Sequence, residues 1–118
     1  MLALARELAK GKGESHWRGA IGRAYYASFH ALTAWHATMP MPGAPGVAKG
    51  EHEQLIQRLC HPAKECSSEQ RRRSLWFSGQ LASLRAMRIV ADYRLADTVT
   101  LEEAVSACAL AAMLLDKL

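Results

Sequence analysis

Two side chains suited to phosphodiester chemistry, Arg23 and His30, stand seven residues apart in the stretch Trp17-Arg-Gly-Ala-Ile-Gly-Arg-Ala-Tyr-Tyr-Ala-Ser-Phe-His30. Seven residues make almost two helical turns, so both point the same way. Histidine is basic near neutral pH. It can take a proton from a ribose 2′-hydroxyl or return one to a leaving oxygen. Arginine stays charged, and its planar fork matches phosphate oxygens and the extra charge of a pentacoordinate transition state. The pair suits RNA cleavage without a metal, giving a cyclic phosphate. One histidine is a thin acid–base supply, and a homodimer would bring two. A site across a dimer interface is therefore expected, with Gly19 and Ala27 small enough to let helices approach. Tyr26 lies near this face and could stack on a base or bond a phosphate. Tyr25, about 100° further round, leans toward the core. The plain alternative is that Arg23 and His30 are solvated surface residues.

Other residues carry weaker signals. Arg71, Arg72 and Arg73 form a basic run near a helix start, with Arg85, Arg88 and Arg94 further on. Cations there oppose the helix dipole, which hints at an anion such as an RNA backbone. Arg88 falls on an otherwise apolar seam with Asp92 four residues on, a spacing that predicts a structural ion pair. His52, Cys60, His61 and Cys66 lack the spacing of common zinc sites, whose paired ligands sit roughly two to four residues apart. No metal or other cofactor is expected. Trp76 and Phe77 are adjacent, so one can face outward to a protein interface. There is no phosphate-binding loop, dinucleotide fingerprint, nucleophile elbow or paired-carboxylate site.

The elements that must position these residues read as helices. A short amphipathic helix is predicted over 2–10, closed by Gly11 and Gly13. A long one follows over about 15–37, with Trp17, Ile21, Ala24, Ser28, Ala31 and Trp35 on its inward seam. Three prolines and two glycines over 39–46 make a surface loop. A third helix runs over about 50–60 with Leu55, Ile56 and Leu59 inward, stopped by His61-Pro62. Ser67 with Gln70 is a capping box opening a helix to about Tyr93, with Phe77, Leu81, Leu84, Arg88, Ala91 and Leu95 inward. Thr100 with Glu103 caps the last helix, whose apolar face is read as Leu101, Val105, Cys108, Ala112 and Leu115. No stretch alternates with period two. The expectation is an all-α, four- to five-helix up-and-down bundle forming a single domain over 1–118.

Bulk properties agree. The 118 residues suit one domain, and half are hydrophobic, enough for a core. The clean start and finish of the pattern predict a whole domain. A net charge of +4 permits an anionic partner. Three cysteines without framework spacing suit a reducing cytoplasm. Arg6, Glu7 and Lys10 interrupt any signal-peptide core, and no stretch approaches the ~20 apolar residues of a membrane span. A cytoplasmic protein without a membrane partner is expected.

The Trp17–His30 stretch resembles the signature helix of the HEPN family, in which four to six residues separate an arginine from a histidine; here six do. Leu84-Arg-Ala-Met-Arg-Ile-Val-Ala-Asp-Tyr93 resembles a second motif of small bacterial HEPN proteins, and His52 matches the same group. The resemblance spans about 2–118. It implies a dimerising helical bundle with Arg23 and His30 in the family's catalytic positions, acting as a metal-independent endoribonuclease. It also implies the toxin of a toxin–antitoxin pair or a defence component, with a nucleotidyltransferase-type antitoxin as partner. The sequence departs from many active members at Ala24, where they carry Asn, Asp or His. That departure favours the alternative of a non-catalytic interaction module binding a nucleotidyltransferase-like partner, RNA or a nucleotide.

Overall fold

In the computed structural model, residues 13–94 and 96–118 are described. The predicted helix over 2–10 and the inward Leu95 lie outside them. Among the described residues four helices occur: α1 (Glu14–His36), α2 (Glu51–Cys60), α3 (Ser68–Tyr93) and α4 (Leu101–Asp116). No strand occurs among the described residues. The fold is the all-α helical bundle that the periodicity predicts.

Both capping boxes form. The Ser67 hydroxyl accepts from Gln70 N at 3.1 Å while Ser67 N donates to Gln70 Oε1 at 2.8 Å. At α4 the Thr100 hydroxyl accepts from Glu103 N at 3.2 Å, and Thr100 N donates back to the Glu103 carboxylate. Each box satisfies two backbone donors at the end of its helix, and so fixes where it starts.

The contacts divide the chain into two compact units, one over Met1–Ser28 with Ser83–Leu118 and the other over Phe29–Ala82. Helices α1 and α3 contribute to both. In the first unit, Ile21, Ala24, Tyr25, Leu84 and Leu114 are buried. Here α4 turns differently from its expected face. Leu101 and Val105 are 41% and 53% exposed, whereas Ala104, Ala107, Ala111 and Leu114 join Cys108 inside. The helix is apolar nearly all round, so the pattern alone does not choose a face. The alanine side wins because it allows closer backbone approach.

An ion pair missed in the sequence organises the same unit. The Arg18 side chain, 12% exposed, donates from Nη1 to the carbonyls of Val90 and Ala91 at 3.0 and 2.8 Å. Its Nη2 reaches Glu14 Oε1 at 3.0 Å and the Asp97 carbonyl. Glu14 Oε1 also accepts from Val99 N at 2.6 Å. Arg18 therefore serves as a side-chain cap for carbonyls at the end of α3, which the helix cannot satisfy itself. The Val99 N–H, with Arg18 second, holds the Glu14 carboxyl below its ordinary pKa.

In the second unit, Leu55, Ile56 and Leu59 of α2 are inward as expected, against buried Phe77 and Leu81. Two buried serines of α3 face the same helix. Ser74 Oγ donates to the Leu59 carbonyl at 2.6 Å and Ser78 Oγ to that of Ile56 at 3.0 Å. The proline-rich loop is fixed at Gly43. A Cβ there would lie 1.8 Å from the Arg58 carbonyl oxygen, so only glycine fits.

Candidate functional site

Arg23 and His30 are both exposed on α1, while Ile21, Ala24, Tyr25, Ser28, Phe29 and Leu32 of the same helix are buried. Neither belongs to the inward seam read from the sequence, and both are turned to solvent. They line different pockets, one in each unit.

The Arg23 pocket is an open depression of about 330 Å³ lined by Gly19, Gly22, Arg23, Tyr26 and Asp92. A Cβ built at Gly22 would meet Asp92 Oδ1 at 3.5 Å, an ordinary van der Waals contact. The predicted Arg88–Asp92 pair forms, with Nε 2.9 Å from Oδ2 and the side chains 12% and 33% exposed. Arg88 does more than pair. Its Nη2 donates to the hydroxyls of Tyr26 at 2.6 Å and Tyr93 at 3.2 Å. The guanidinium carbon lies 5.6, 4.8 and 5.3 Å from the ring centroids of Tyr25, Tyr26 and Tyr93, within cation–π range. Burial opposes the Arg88 charge, yet the hydrogen bond to Asp92 and the oxygens of both tyrosines outweigh it and raise its pKa. Tyr26 is thus clamped in place beside Arg23. Tyr25 is buried, as its wheel position predicts, whereas Tyr93 is 67% exposed.

The His30 pocket, about 370 Å³, lies between α1 and α2 and includes Thr33, His36, Glu51, Gln54 and Arg58. Its back wall is fixed through Gly43, whose N–H donates to His36 Nε2 at 3.1 Å and whose carbonyl accepts from Arg58 Nη1 at 2.8 Å. Burial first, then the Arg58 charge, lowers the His36 pKa and favours its neutral form. The Phe29 ring stacks on His52 at 4.2 Å and meets His30 edge-on at 5.4 Å.

The Arg71–Arg73 run is split by helical geometry. Arg71 is exposed, Arg72 pairs with Glu69, and Arg73 lies 5.4 Å over the Trp35 ring and 5.7 Å over Phe77. Trp76 is half-buried beside the fully buried Phe77. Among the described residues no group of three or more His, Cys, Asp or Glu side chains is placed to hold a metal ion. Among the described residues Cys60, Cys66 and Cys108 are not joined in a disulfide. No helix among the described residues is long and apolar enough to cross a membrane.

Sequence reasoning missed Glu51 and Arg58. Their signal was present: Glu51, Gln54, Leu55 and Arg58 follow the spacing of one helix face.

No family model, curated protein or solved structure matches the chain.

Proposed function

We propose that this protein is a metal-independent endoribonuclease of the HEPN type, the toxin of a toxin–antitoxin pair or a defence component. The observation that carries the reading is that α1 turns a cation and an imidazole, Arg23 and His30, to solvent while Ile21, Ala24, Tyr25, Ser28, Phe29 and Leu32 of the same helix are buried. His30 serves as general acid and base. Arg23 binds the scissile phosphate and stabilises its transition state. Tyr26, held by Arg88, offers a ring and a hydroxyl to the RNA. Arg71 with Arg72 and Arg73 adds attraction for the backbone. A homodimer supplies two copies of each group, and the protein works in the cytoplasm beside a nucleotidyltransferase-type antitoxin.

The test is RNA cleavage in EDTA by protein free of co-purified partners, comparing wild type with His30→Ala and Arg23→Ala. Cleavage that persists in EDTA and disappears in both variants, with helical content retained, is the expected result. Inert, well-folded wild type across several RNAs would defeat the assignment.

A second reading is an interaction module that binds a nucleotidyltransferase-like partner, RNA or a nucleotide without cleaving anything. Two observations favour it. Ala24, next to Arg23, is fully buried, so that position offers no polar group to a substrate. Helix α4 also presents Leu101, Val105 and Met113 outward, an apolar face suited to another protein.

A further inference from the structure

We infer that Tyr93 is a base-stacking platform at the edge of the Arg23 pocket, taking the base of a nucleotide next to the phosphate that Arg23 holds. This rests on the ribonuclease reading, which puts RNA at that pocket, and deepens it by naming the strand it takes.

Exposure by itself says little, since single apolar side chains are common on protein surfaces. Tyr93 stands apart because it is 67% exposed and also held. Its hydroxyl accepts from Arg88 Nη2 at 3.2 Å, and the Arg88 guanidinium carbon lies 5.3 Å from its ring centroid. One contact fixes the tip of the side chain and the other fixes the ring. A side chain that orders only when a ligand arrives gives up rotamer freedom at that moment, and a ring already held gives up less. Tyr93 is also the last residue of α3, so its backbone belongs to a helix.

The same nitrogen ties this ring to the pocket. Arg88 Nη2 carries two hydrogens, and it donates to the Tyr26 hydroxyl at 2.6 Å as well as to Tyr93. The two phenol oxygens therefore flank one atom. Tyr26 lines the Arg23 pocket, and Tyr93 stands just outside that lining, in the same compact unit. The charges suit a nucleic-acid strand. Arg88 Nε, 2.9 Å from Asp92, offsets the carboxylate of the lining, so the pocket keeps the positive charge of Arg23. Arg94, exposed, follows Tyr93 in the chain. Every base has a π-face, so such a platform accepts any base, but only where that face is uncovered. Bases in a duplex are covered by their neighbours. The ligand class is therefore single-stranded RNA.

The test compares wild type, Tyr93→Ala and Tyr93→Phe, with circular dichroism to check folding. Affinity is read by fluorescence anisotropy on a short single-stranded RNA of 2′-O-methyl nucleotides, which lack the attacking hydroxyl, and on an abasic oligomer of the same length and backbone. kcat and KM are read in EDTA on the unmodified RNA. Tyr93→Ala should weaken affinity roughly tenfold, the usual worth of one stacked base, and raise KM to match with kcat little changed. Tyr93→Phe should keep most of the affinity. On the abasic oligomer all three proteins should bind alike. Wild type that cleaves, with Tyr93→Ala equal to it in affinity and KM, overturns the platform and leaves the ribonuclease reading standing. A loss that Tyr93→Phe shares, or that persists on the abasic oligomer, also overturns it, because the ring is then not the cause. Wild type that binds without cleaving, with the Tyr93→Ala loss intact, keeps the platform and defeats the nuclease. Wild type that neither binds nor cleaves defeats both.

Discussion

The Arg88 guanidinium donates a 2.6 Å hydrogen bond to the Tyr26 hydroxyl, joining α3 to α1. The same group holds Asp92 and Tyr93, so one side chain fixes two lining residues of the Arg23 pocket, Tyr26 and Asp92. Arg88→Met keeps the apolar stem but removes every donor. It leaves the Asp92 carboxylate without its cation and should cost about 2–3 kcal/mol. At this chain length that lowers Tm by roughly 10 °C. Tyr26→Phe removes one bond and should cost about 1 kcal/mol. Thermal unfolding followed by circular dichroism compares them, and equal losses would show that the tyrosine contact, not the whole cage, matters.

Gly43 admits no side chain. The Cβ of Gly43→Ala would overlap the Arg58 carbonyl oxygen at 1.8 Å and crowd the His61 carbonyl at 2.8 Å, both backbone atoms. The loop or the end of α2 must shift, breaking the bonds to His36 and Arg58. We expect a loss of about 3 kcal/mol or more in urea unfolding. Stability equal to wild type would show that the loop has another seat.

Glu14 should make the fold sensitive to acid. Its carboxyl pKa is lowered, first by the Val99 N–H and then by Arg18. A group depressed in this way stabilises the fold above its unfolded pKa, and the contribution fades as pH falls through the folded value. The loss therefore begins below about pH 4.3, where an unfolded glutamate takes up its proton. The urea midpoint of wild type should drop more steeply than that of Glu14→Gln in this range. Parallel curves would place the acid sensitivity elsewhere.

His36 should act at milder pH. Its pKa is lowered by burial and then by Arg58, so the folded state prefers the neutral ring. Protonation also removes the Nε2 acceptor for Gly43 N–H. Stability from this group is present above the unfolded pKa, about 6.5, and declines as pH falls below it. His36→Gln places an uncharged amide oxygen near the same point. It should flatten the midpoint between about pH 7 and 5 while leaving the lower transition. An unchanged slope there would exonerate His36.

The local signals were legible in the sequence. Ser67 with Gln70 and Thr100 with Glu103 are short-range patterns whose hydrogen bonds need no tertiary context. The Arg88–Asp92 pair was readable from its four-residue spacing. The tyrosine cage was not, because Tyr26 and Arg88 are 62 positions apart. The role of Arg18 was not legible, since the Val90 and Ala91 carbonyls that hold it lie over 70 positions away. The Arg71–Arg73 run read as one patch because sequence adjacency hides the 100° rotation that turns Arg73 onto Trp35. Arg23 and His30 were legible as exposed, but which neighbours each would have depended on α2 and α3.

The loop between α1 and α2 has one fixed post and one loose tip. Gly43 is clasped on both sides of its peptide unit, whereas Val47, four residues on, is 97% exposed. That asymmetry marks where the chain tolerates additions. A fluorophore or short epitope inserted beside Val47 would ride outside the core and leave the His30 pocket intact. The same insert moved to the Gly43 side would dismantle the wall that shapes it.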